Sequence, residues 1–290
     1  MKVKAIKNLT VHKSANLLFI FSFIFFALYS VLLVYPFLWV FLSSLKSNRE
    51  FFDNMFSLPK NWIFVNYVET VKTMQINDNN FLQMLRNSIF LTVTGTFSNL
   101  LACSLVAYPL AKYKFKGSKL IYNIAIFVQI IPLAGSGPSL YKLVAQLHLL
   151  NNLWFIWILN MGGLGFSFLI LYACFKSTSW TYAEAAFMDG ASNFKVFYAI
   201  MIPLAKPVYV ALSIMTAITI WNDYYSPFLY TENYPTLALG IFLYKVKSVY
   251  VSNIPVFFGG VILTLIPILI IFMIFSKTIM QNTVAGGLKE

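Results

Sequence analysis

Apolar residues gather into six runs, at roughly 17–42, 88–110, 119–141, 152–175, 207–230 and 256–276, with polar, charged and helix-breaking residues between them. Each run reaches the roughly 20 residues a helix needs to cross a hydrocarbon core. The pattern predicts an all-α, polytopic membrane protein with six transmembrane helices and both termini on one side. The interruption between the fourth and fifth runs, 176–206, carries helix signals of its own. Thr181 and Glu184 stand in the Ser/Thr-x-x-Glu relation of a capping box, so a short helix is expected to begin there, its face left almost bare by Ala185 and Ala186. Gly190 is placed to end that helix in a left-handed turn, and Ser192 to cap a second one. Pro203 and Pro207 are expected to break or bend the chain before the next apolar run.

Composition supports the membrane reading, since the chain is 59% hydrophobic, 18% aromatic and only 10% charged, against roughly 25% charged residues in soluble domains. The formal charge of +12 does not imply nucleic acid, because the basic residues do not cluster with aromatics on a soluble face. They sort by loop. Lys2, Lys4, Lys7 and Lys13 precede the first run, Lys112, Lys114, Lys116 and Lys119 crowd the second connection, and Lys176, Lys195 and Lys206 flank the capped interruption. On the other side Lys46, Arg49, Lys60, Lys72, Arg86, Lys142, Lys245 and Lys247 are fewer and are balanced by Glu50, Asp53, Glu69, Asp78 and Glu232. The positive-inside rule then assigns both termini (1–16 and 277–290) and the 176–206 segment to the cytoplasm, and 43–85 to the outside. The first run is too long for the h-region of a cleaved signal peptide and is expected to stay as a span. Cys103 and Cys174 both fall within runs, so no disulfide framework follows.

A single integral domain over 1–290 is expected, without linker or repeat. The 43–85 segment, with Phe51, Phe52, Met55, Phe56 and Trp62, is too apolar for a free loop and is expected to lie on the membrane or against a partner. The third run carries Pro132, Gly135, Gly137 and Pro138, and the fourth Gly162, Gly163 and Gly165. Such breaks are tolerated at membrane depth only where protein or water covers the freed backbone, and for the glycines close helix packing is expected.

Candidate chemistry is sparse. Gly117-Ser-Lys lacks the rest of a phosphate-binding loop, His12 and His148 fall on opposite faces, and no cluster has metal spacing. Catalytic residues, bound cofactor and metal are therefore all expected to be none. In the fifth run Thr216, Thr219, Asp223, Ser226 and Tyr230 recur at three- and four-residue intervals, with Asn222 beside them and Tyr224 nearby. An acid inside a span faces a partner or a watery path, so Thr219, Asn222, Asp223, Tyr224 and Ser226 are candidate translocation-pathway residues; anchoring of a neighbouring helix is the alternative.

The segment around Glu184-Ala-Ala, with Gly190, Ile200 and Pro203 behind it, resembles the Glu-Ala-Ala loop of ATP-binding-cassette importer permeases, with Ile202 in place of the usual Leu. Ser44-Leu-Lys, Leu58-Pro-Lys-Asn-Trp, Asn66-Tyr67, Arg86-Asn-Ser-Ile, Ala107-Tyr-Pro-Leu-Ala-Lys, Trp221-Asn-Asp and Val284-Ala-Gly-Gly-Leu-Lys look like the maltose-type carbohydrate branch, in its smaller six-span permease. Glu290 departs from the usual small final residue. The resemblance implies a non-enzymatic pore subunit that pairs with a second homologous permease, two copies of a cytoplasmic ATPase carrying ATP and Mg, and an external substrate-binding protein, in a bacterial cell membrane. It implies a coupling helix between spans four and five, with Glu184, Ala185, Ala186, Asp189, Gly190 and Pro203 as the contact with the ATPase. It also implies a tail, Gln281, Gly286 and Gly287, that reaches toward the ATPases. The substrate implied is a sugar or oligosaccharide; a permease for another solute such as a peptide, or an ion-coupled secondary transporter, are the rival readings.

Overall fold

A computed structural model describes residues 2–130, 136–248 and 253–285, with side chains placed for 19–130, 137–246 and 253–276. Pro132 and Gly135, and the tail glycines Gly286 and Gly287, lie outside the described residues; Gln281 falls inside the last helix. Among the described residues the fold is all helical, apart from one isolated bridge between Ile76 and Asn79. In chain order the helices are α1 (Lys2–Ser44), α2 (Asn48–Asp53), α3 (Val65–Thr73), α4 (Phe81–Lys112), α5 (Ser118–Ile130), α6 (Ser136–Gln146), α7 (Leu153–Leu159) and α8 (Phe166–Ser177). Then come α9 (Thr181–Met188), α10 (Asn193–Val196), a π-turn over Phe197–Met201, α11 (Ile202–Leu204), α12 (Lys206–Asn222), α13 (Tyr225–Tyr230), α14 (Leu237–Ser248) and α15 (Ile254–Ala285).

Three described helices are long and apolar enough to cross a membrane: Phe19–Ser44, Phe81–Lys112 and Ile254–Ser276. The pair Asn193–Leu204 and Lys206–Asn222 qualifies jointly, bent by 77° at its break. The fourth run, where the glycines led breaks to be expected, is built from α7 and α8, and the fifth, read as one helical face, from α12 and α13. In the fifth run the break has a visible cause. Asp223 leaves the helix with an extended backbone (ψ 106°) and its carboxylate accepts the N–H groups of Tyr225 and Ser226 at 2.9 and 3.0 Å, starting α13 afresh.

The chain divides into two compact units, residues 1–70 with 252–262, and residues 71–251 with 263–290. In the first, the sequence motifs explain one another. Asn66 is buried and its amide donates to the carbonyls of Ser44 and Lys46, both at 2.8 Å, while the Ser44 and Tyr67 hydroxyls share a 2.8 Å bond. Lys46, only 1% exposed, donates to the carbonyls of Asn54 and Met55 at 3.1 and 3.0 Å, so the following loop folds around its ammonium. Burial pushes its pKa below the usual lysine value, with the Glu50 carboxylate opposing. Of the apolar residues noted in this segment, Phe51 is buried against Trp39 and Phe258, whereas Phe52, Met55, Phe56 and Trp62 are exposed.

The second unit is organised on α4. Asn80 and Gln83 form a reciprocal capping box at its start, the Asn87 amide donates to the Pro235 carbonyl at 3.1 Å, and Ser88 accepts the Leu237 N–H at 2.8 Å. These bonds account for Asn87 and Ser88 of the Arg86-Asn-Ser-Ile motif. One core cluster joins Leu100, Cys103, Ala107 and Tyr108 of α4 with Phe168, Leu171 and Phe175 of α8, and with Ala183, Val196, Phe197, Met201 and Ala205 beyond it. At Gly95 a Cβ would come within 2.9 Å of the Ile220 Cδ1 and 3.2 Å of the Asn160 amide nitrogen, so α4 and α12 approach closely there.

Candidate functional site

The loop between α8 and α12 is a helix–turn–helix seated on that core by one side only. The helix α9 starts one residue earlier than its capping signal predicts. Trp180 is already helical (φ −74°, ψ −20°) and its carbonyl accepts Glu184 N–H at 3.1 Å. Thr181 is thus inside the helix, and the expected Thr181–Glu184 box is absent; the Ser179 hydroxyl instead accepts the Thr181 N–H at 3.3 Å. The end matches its signal. Gly190 sits at φ +79°, its N–H donates to Phe187 at 3.0 Å and that of Ala191 to Ala186 at 2.9 Å, the paired bonds of a Schellman cap. Ser192 then accepts the Lys195 N–H at 3.3 Å and starts α10. Ahead of Pro203 the helix widens into the π-turn, where Ile202 bonds five residues back to Phe197. That removes the clash a proline ring makes with a helical carbonyl.

Burial divides the loop into an anchored side and a free one. Ala183, Val196, Phe197 and Met201 are buried, and Ala186 is partly buried against the same cluster. Glu184, Ala185, Asp189 and Gly190 are exposed, as is Pro203 in α11. So are two large apolar side chains, Met188 at 89% and Phe194 at 67%. Neither was singled out from the sequence, where they read as ordinary helix residues.

A second feature lies between α4 and α12. A cavity of about 270 Å³ is lined by Asn99 and Cys103 of α4, Asn160, Gly165, Phe166 and Ser167 of the α7–α8 region, and Leu212, Met215, Thr216, Thr219 and Ile220 of α12. The Asn99 amide donates to the Asn160 carbonyl at 3.0 Å, and Thr219 donates to Met215 at 3.0 Å. Of the residues expected along a pathway only Thr219 lines it, together with Thr216 of the same helical face. Because the helix breaks at Asp223, Asn222, Asp223, Tyr224 and Ser226 do not continue their face: Asn222 is exposed and bonds back to Ile218 at 2.8 Å, Asp223 caps α13, Tyr224 stacks on Phe242 at 4.5 Å, and Ser226 is held through its N–H. Tyr230 is buried against Phe155. The glycines divide. A Cβ at Gly162 would come within 3.2 Å of the Asn99 amide nitrogen, the close approach expected, whereas one at Gly163 would meet nothing within 4 Å and one at Gly165 only a carbonyl at 3.7 Å. Asn99 and Asn160 are what the sequence reading missed; an amide inside an apolar run was the available signal.

An all-helical chain without clustered metal ligands among its described residues, with long apolar helices and an anchored helix–turn–helix, has the build of a membrane permease. Residues 99–284 match the family of binding-protein-dependent transport system inner membrane components, and the chain belongs to that family. It is a transport component rather than an enzyme. It is 28% identical over 262 residues to the diacetylchitobiose uptake system permease protein of Streptomyces coelicolor, covering 89% of this chain and 85% of that one. It is 28% identical over 270 residues to the arabinooligosaccharides transport system permease protein of Bacillus subtilis, covering 92% and 94%. Among solved structures it is similar to a chain of a bacterial ABC transporter involved in the import of the acidic polysaccharide alginate, with a TM-score of 0.78, 25% identity, and coverage of 91% and 97%.

Proposed function

We propose that this chain is one of two permeases in an ATP-driven importer of sugars or oligosaccharides, and that the Thr181–Val196 loop is where a cytoplasmic ATPase drives it. The relatives named above support the carbohydrate reading. The observation that carries the coupling reading is the one-sided seating of the loop: Ala183 and Val196 sit in the core while Met188 and Phe194 stand out in the open. An exposed apolar side chain on a short helix suits an apolar groove in a partner, and Glu184 and Asp189 add negative charge beside it. The partners on this reading are a second homologous permease, two copies of the ATPase, which bind ATP and Mg, and an external substrate-binding protein. The chain crosses the membrane six times with both termini inside, the fourth and fifth crossings being assembled from shorter helices in series.

On this reading the cavity lies along the sugar's route. Its Asn99, Asn160, Thr216 and Thr219 offer the mixed donors and acceptors that hydroxyls need, but 270 Å³ falls below the roughly 300–1,000 Å³ of most ligand sites. It therefore contacts one ring-sized group of a passing substrate. Met188→Asp tests the coupling reading, since Met188 is exposed and its replacement leaves the core untouched. In the complex reconstituted with ATPase and binding protein, sugar-stimulated ATP hydrolysis is expected to fall at least tenfold relative to wild type while the permease remains folded; unchanged stimulation contradicts the reading.

A further inference from the structure

Lys112, the last residue of α4, and Tyr113, its C-cap, together reach both arms of the loop. α4 stops because Tyr113 turns extended (φ −103°, ψ 132°), its N–H still bonded to Pro109 at 2.9 Å. Lys112, still helical, sends its ammonium to the Thr178 carbonyl, at the C-terminal end of α8, and holds it 5.8 Å over the Trp180 ring. A cation there meets both the negative end of a helix and an aromatic face. Tyr113 packs its ring edge-on against Trp180 at 5.7 Å and 83°. Its hydroxyl donates to the Asn193 Oδ1 at 3.0 Å. One ring therefore touches the residue before α9 and the first residue of α10. One turn back along α4, Tyr108 lies 5.0 Å from Phe197 and 5.5 Å from Phe175, and its hydroxyl is 3.5 Å from that of Tyr113.

We propose that Lys112 and Tyr113 are positioning residues that latch both arms of the 178–196 segment to the end of α4, so that loop and helix move as one piece. An eight-residue helix has little stability of its own. Without the latch a force on α9 would be absorbed by fraying; with it, displacement passes into α4, which also lines the cavity at Asn99 and Cys103. The transport consequence rests on the proposed coupling role, whereas the latch itself does not.

The test is amide hydrogen exchange on the full chain in lipid nanodiscs, comparing 178–201 with 206–222. Tyr113→Phe keeps the ring and removes only the hydroxyl. It should speed exchange around Ser192–Met201 by about five- to tenfold, the effect of losing one hydrogen bond of ordinary net strength. Asn193→Ala should do the same, and the double variant should add nothing further. Lys112→Met should loosen Ser179–Ala183, and Lys112→Arg should restore it. Exchange within twofold of wild type in Tyr113→Phe, or additive effects in the double variant, would overturn the latch. If the loop loosens while sugar transported per ATP stays at the wild-type value, the latch stands and the coupling role fails.

Discussion

Gly190 is the residue on which the loop's shape most depends. Its φ of +79° is in the left-handed region, and a Cβ there would meet nothing within 4 Å, so substitution acts through backbone strain and not through contact. Gly190→Val should destabilise the turn by about 1–3 kcal/mol, and Gly190→Asn by clearly less, because Asn tolerates that conformation. Transport by the two variants at equal expression checks this ordering; equal loss in both contradicts it. Asp223 is read in the same way. Its carboxylate serves two amides of its own chain, so Asp223→Asn should keep α13 and Asp223→Leu should destabilise it by about 1 kcal/mol. Exchange rates at Ser226–Tyr230 separate them, and identical rates would deny the carboxylate a capping role.

At the scale of elements, contact between α4 and α12 at Gly95 sets the width of the cavity beside it. Gly95→Ala requires only the far end of the Ile220 side chain and the Asn160 amide to give way, whereas Gly95→Leu should lower stability by about 1–3 kcal/mol. The melting temperature of the purified chain measures this, and an unchanged value for the Leu variant contradicts the close approach. Elements also mark where the sequence was readable. The Gly190 turn, the Ser192 cap and the proline bend are written in local residue types, and each formed as expected. The Thr181 box was not, because the Trp180 carbonyl had already joined the helix and moved its start. The break at Asp223 lies within an apolar run whose hydrophobicity is the same whether the backbone is continuous or not, whereas Gly162, Gly163 and Gly165 marked the one in the fourth run. The cavity was half legible. Thr216 and Thr219 announced themselves by spacing, but Asn99 and Asn160 are far apart in sequence and met only in the fold.

For the whole molecule, the described helices that are long and apolar do not by themselves fix which way the chain threads the membrane. Lysine bias assigns 112–119 and the 176–206 loop to the cytoplasm. A single cysteine at Ser118, in a background where Cys103 and Cys174 are replaced, should react with an impermeant reagent only after the cytoplasmic face is opened. Labelling in intact cells would reverse the orientation.

The central claim, that an anchored loop presents Met188 to a driving ATPase, is tested most directly by placing a cysteine at position 188 in that same background. The side chain is 89% exposed in the chain alone. Its labelling rate is measured in inverted membrane vesicles with and without the ATPase subunits. The account predicts rapid labelling without the ATPase and at least tenfold protection when it is bound. Equal labelling in both preparations would contradict it.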